Sequence, residues 1–134
     1  MPAWVKTLRI AKSKKRQPET TNGPTWEQVE SILRGLSEGT GGRVELSDAR
    51  GDRVMTIYGS DGEYCLGIAT DGSSFHFYIN GTSNEEDEEL CEIAWNQVPK
   101  TQVLKDVGRL LEIVKRFYET GERVDTVQWL SERF

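Results

Sequence analysis

The chain holds two cysteines, one histidine and four prolines, and each scarcity removes a class of protein. Cys65 and Cys91 are too few for a disulfide framework and have neither Cys-x-x-Cys nor zinc-knuckle spacing, so they read as reduced, buried thiols. His76 stands alone, which removes a multi-histidine metal site and leaves a single general base. No stretch approaches the ~20 apolar residues of a membrane span. Met1–Gly23 lacks the apolar core and cleavage site of a signal peptide. The expectation is a cytoplasmic protein that meets no membrane, with no disulfide, metal or cofactor holding it together.

What is present is one domain's worth of chain: 134 residues with a formal net charge of −5. The first 23 residues hold six of the 17 cations and one of the 22 anions, a balance of +5. Residues 24–134 keep 11 cations against 21 anions, or −10. A body this acidic repels a phosphate backbone, because nucleic-acid binders gain from Lys and Arg releasing condensed counterions. It attracts a basic partner instead, and long-range attraction raises the encounter rate. Accordingly 1–23 reads as a basic N-terminal strand and linker, and 24–134 as a single domain.

Periodicity supplies the elements. Ala3–Ala11 alternates weakly, as an edge strand does, and Ser13–Gly23 runs polar as a linker. Pro24-Thr25-Trp26-Glu27-Gln28 has the reciprocal Thr and Gln of a capping box. Trp26, Val29, Ile32, Leu33 and Leu36 follow at helical spacing, with a stop expected near Gly39. From Arg43 to Trp95 the period becomes two, and Asp61-Gly62 and Asp71-Gly72 read as two-residue hairpin turns. In that register Tyr64, Leu66 and Ile68 share the buried face with Phe75, Phe77 and Ile79 and with Cys91, Ile93 and Trp95. The opposite face then carries Cys65, Gly67 and Ala69 beside His76 and Tyr78 and stays partly open. Lys100–Thr120 shows a helical apolar stripe ended by Gly121, and Val124–Phe134 adds a further edge strand or tail. The fold expected is α+β: one antiparallel meander of about five to six strands with two main helices on one face.

Catalytic motifs are thin. The glycine-rich Gly35–Gly42 follows a helix and precedes a strand, whereas a phosphate cradle needs the helix after the loop. Asn80-Gly81-Thr82 matches a glycosylation acceptor, which has no use without secretion. A zinc site from His76, Cys65 and Cys91 lacks the spacing that would support it. Cys65 and His76 on neighbouring strands would make a nucleophile and base, yet no oxyanion-binding turn accompanies them. Glu85-Glu86-Asp87-Glu88-Glu89 is a low-complexity acidic loop whose mutual repulsion keeps it extended.

The C-terminal third carries a further pattern: Trp95, Val98-Pro99, a long amphipathic helix ending in Phe117-Tyr118-Glu119-Thr120-Gly121-Glu122-Arg123, then Val127-Gln128-Trp129. This order resembles the first-numbered immunity family of bacterial polymorphic toxin systems, and the capped helix and Asp-Gly meander extend the likeness over most of 24–130. One departure is Val124, where members commonly have Pro. The resemblance implies a non-enzymatic α+β protein that binds and silences a cognate toxin, often a nucleic-acid deaminase and otherwise a nuclease. Gly121 and Trp129 would then be structural, ending the helix and packing the tail.

An acidic body without a catalytic set agrees with that implication. Charge steering falls to Glu85, Glu86, Asp87, Glu88 and Glu89. Contacts at the turn and the open face fall to Tyr58, Asp61, Glu63, His76 and Tyr78, tyrosine being a favourable anchor. The expected partner is a basic toxin domain, the expected state a monomer without direct nucleic-acid binding. Two other readings stay open: an acidic secretion chaperone for an exported effector, and a small hydrolase using Cys65 and His76.

Overall fold

Alternation of apolar and polar residues builds the sheet, and its register can be followed strand by strand. A computed structural model describes residues 4–11, 19–36, 41–48, 50–51, 53–60, 62–70, 74–79, 90–94, 96–99, 102–122 and 128–133. The strands are β1 (Thr7–Ala11), β2 (Glu19–Asn22), β3 (Gly42–Ser47), β4 (Arg53–Ser60), β5 (Glu63–Thr70), β6 (Ser74–Ile79), β7 (Leu90–Ile93), β8 (Asn96–Pro99) and β9 (Gln128–Arg133). Two helices, α1 (Trp26–Gly35) and α2 (Val107–Thr120), complete the order. Seven strands form one antiparallel sheet in the order β2-β1-β3-β4-β5-β6-β9, and β7 and β8 pair separately as a hairpin. The α+β class and the two-helix face are therefore as expected, while the sheet is wider than five to six strands. The strand of Cys91 and Ile93 lies outside it.

Cross-strand partners line up Leu8, Leu46, Met55 and Ile68 in one row and Ile10, Val44, Ile57 and Leu66 in the next. Against these rows α1 lays Val29, Leu33 and Leu36, and α2 lays Leu110, Ile113, Val114, Phe117 and Tyr118. Phe117 is fully buried. Burying a side chain of that size contributes about 1.5–3 kcal/mol. The helices meet through Trp26 and Tyr118, whose ring centroids lie 5.6 Å apart. The Tyr118 hydroxyl donates to the Pro24 carbonyl at 2.7 Å, so the apolar contact leaves no buried hydroxyl unpaired.

Helix boundaries follow local chemistry. Thr25 accepts from the Gln28 amide at 3.2 Å, and the Gln28 side chain accepts from the Thr25 amide at 2.9 Å, closing the capping box. The helix ends at Gly35 with Leu36 in right-handed geometry. It stops short of Gly39, which lies outside the described residues. Helix α2 begins seven residues later than the apolar stripe predicts. Asp106 caps it by accepting from the Gly108 and Arg109 amides, at 2.9 and 3.4 Å. Val103 and Leu104 fit the stripe by spacing but serve elsewhere: Leu104 exchanges two backbone hydrogen bonds with Tyr64, at 2.8 and 2.7 Å. Gly121 ends α2 at φ 73°, donating to the Phe117 carbonyl at 2.7 Å.

The N-terminal segment is part of the core. β1 sits between β2 and β3, so it is interior where an edge was expected, and Glu19–Asn22 is a strand within the expected linker. The Val5 amide donates to the Tyr118 carbonyl at 3.1 Å. Trp4 packs edge-on against Phe117 at 5.1 Å. A division at residue 23 thus separates no structural units.

Candidate functional site

Two hairpins decide which side chains face away from the helices. Ser60 pairs with Glu63, leaving two residues between them, and Gly62 takes the φ of 75° that such a connection needs. Thr70 pairs with Ser74, which leaves three residues, Asp71 to Ser73, where the sequence predicted two. Because side chains alternate with period two, one extra residue turns the whole of β6 over. His76 is therefore cross-strand from Ile68, on the helix face, and Phe77 is cross-strand from Gly67, on the other. This corrects the expected face assignment: Phe75 and Phe77 leave the core face, and His76 and Tyr78 enter it.

Among the described residues, the helix-free face is only partly covered. Ile93 and Val98 of the β7–β8 hairpin bury against Cys65 and Val103, with Tyr58 at the margin. Ala94 adopts φ 55° in the hairpin connection and donates from its amide to the Ser60 hydroxyl at 2.8 Å, fixing the hairpin to the end of β4. Beside it remains a concavity of about 300 Å³, lined by Thr56, Tyr58, Cys65, Leu66, Gly67, Phe75, Phe77, Gln97, Val98 and Gln102. Phe75 and Phe77 stack nearly parallel there, at 9° and 5.8 Å between centroids. Gly67 makes room for the arrangement, since a Cβ at that position would lie 3.0 Å from Phe77 Cδ1.

Its chemistry is neutral. Burial pushes the Cys65 thiol up to about 12, although a backbone hydrogen bond at Tyr58 acts the other way. A thiol so placed stays protonated at physiological pH and is no nucleophile. His76 stands on the opposite face from Cys65, so the nucleophile–base pair does not form. Among the described residues no three His, Cys, Asp or Glu converge as metal ligands, and no helix is long and apolar enough to cross a membrane.

The residues predicted as a contact set are divided. Tyr58 is half-buried at the concavity. Glu63 is half-buried at the start of β5. Tyr78 is only 8% exposed within the main core, so it makes no open-face contact. Its hydroxyl titrates above the ordinary range, chiefly through burial, with Arg109 lowering and Asp106 raising it. Asp61 and Glu85–Glu89 lie outside the described residues. Thr56, Phe75, Phe77, Gln97 and Gln102 were not anticipated. Alternation exposed the phenylalanine pair, but a two-residue turn assigned it to the core. A shallower hollow between α1 and the β1–β2 pair, lined by Leu8, Thr21, Glu27, Gln28, Ser31 and Ile32, measures about 390 Å³.

The whole architecture has a solved counterpart. A hypothetical protein from Neisseria gonorrhoeae, known from its crystal structure, matches with a TM-score of 0.62 over 90% of this chain and 91% of its own. Identity is 14%, so the likeness concerns the fold alone. No family model and no curated protein matches the chain.

Proposed function

We propose that the chain is an immunity protein, one that binds a cognate bacterial toxin and keeps substrate out of its active-site cleft without chemistry of its own. The proposed toxin is a basic, nucleic-acid-acting domain, a deaminase or nuclease, met in the cytoplasm. The observation that carries the reading is the neutral, aromatic concavity on the helix-free face, set in a segment of charge −10. Such a surface offers area to bury at the centre while the surrounding charge speeds encounter with a basic protein. The sequence resemblance points the same way. Its elements pack together here: Phe117 and Gly121 on Trp4, and Trp129 against the main core.

Co-expression tests it. Candidate toxin domains encoded beside this gene are induced with and without the chain, and survival is counted. Rescue of cells from one such toxin, together with co-purification of the pair, is expected. Equal killing in both arms across every neighbouring candidate defeats the proposal.

A further inference from the structure

We infer that the concavity on the helix-free face is a socket for one arginine side chain of the partner. This deepens the immunity reading and rests on it for the partner's identity. The socket's own chemistry comes from its phenylalanines, its glutamines and Thr56.

Phe75 and Phe77 stack at 5.8 Å between centroids and both line the concavity, so aromatic rings form part of its wall. A guanidinium is planar, weakly hydrated and stacks on aromatic faces, which a lysine ammonium does worse. Gln97, Gln102 and Thr56 line the same space. Amide and hydroxyl oxygens accept from the guanidinium fork, whose five donors need several acceptors at once. Among the described residues that line it, none carries a positive charge. Arg43, cross-strand from Tyr58 on this face, is already paired with Glu45 at 3.4 Å. The −10 balance of residues 24–134 favours the approach of a cation. The volume, about 300 Å³, suits one long side chain and not a folded segment.

The probe is N-acetyl-arginine amide, titrated into the full chain and followed by amide NMR. Saturable shifts are expected at the Gly67 amide and the side-chain amides of Gln97 and Gln102. Phe77→Leu keeps apolar bulk and removes the ring, and it should weaken binding ~fivefold, the scale of one exposed cation–π contact. N-acetyl-lysine amide should bind more weakly than the arginine probe. Shifts that do not saturate, that persist unchanged in Phe77→Leu, or that are stronger with N-acetyl-tryptophan amide overturn the inference.

In cells the two readings separate. If the chain protects against a toxin and Phe75→Ala/Phe77→Ala protects equally at equal expression, the socket is wrong and immunity stands. If the arginine probe binds as described while no neighbouring toxin is neutralised, the socket stands and immunity falls.

Discussion

The two faces of the sheet are made by the same strands and solved differently. On the helix face, β1, β3, β4 and β5 present rows of Leu, Val, Ile and Met that two helices seal, and Val29, Leu33, Leu110, Ile113 and Phe117 are wholly buried. On the other face, among the described residues, a four-residue-per-strand hairpin covers the region of Cys65. Phe75 and Phe77 beside it stay half-buried. Stability is thus concentrated on one side, and the side left over is free to be shaped for recognition.

The largest effect should come from the sealed face. Phe117→Ala opens a cavity where Trp4, α1 and the sheet meet, and urea unfolding should show a loss of about 3–5 kcal/mol. Phe75→Ala/Phe77→Ala should cost less than half as much in the same assay, since those rings are already partly in water. An equal loss from both would erase the contrast between the faces. Gly121→Ala is next: the left-handed φ is strained for alanine, and its Cβ would overlap the Trp4 indole. A loss of roughly 2–3 kcal/mol is expected, with a changed near-UV signal from Trp4.

Alkaline pH probes the boundary between the hairpin and the sheet. The Cys65 thiol holds its proton more tightly folded than unfolded, so its contribution is complete below pH 9 and lost as pH rises toward 12. That amounts to about 1 kcal/mol lost by pH 10, and Cys65→Val should flatten this part of the stability profile. Burial raises Tyr78 and Tyr118 as well, which adds a steeper loss above pH 10 in both proteins. Thr25→Ala, at an exposed cap, should cost about 1 kcal/mol and leave the helix-free face untouched.

Local signals in the sequence were strong where one residue decides the outcome. Thr25 and Gln28 close a cap, Gly121 halts a helix, and Asp61-Gly62 makes a two-residue turn, because each depends on near neighbours alone. The start of α2 was misplaced since Leu104 satisfies helical spacing while its backbone bonds to Tyr64, a residue 40 positions earlier. The concavity was illegible for a related reason. Phe75 and Phe77 alternate correctly, but whether they face the helices depends on the length of the β5–β6 connection, and Asp71-Gly72 alone does not reveal that Ser73 belongs to it. His76 and Tyr78 are turned to the helix face by the same extra residue.

Trp4 and Val5 rest on the last turns of α2, more than a hundred residues downstream. During synthesis the meander can pair as it leaves the ribosome, yet only α1 shields its apolar side until that helix follows. A message cut short before Val107 would yield a protein whose apolar sheet is half bare, fit for a protease or an aggregate.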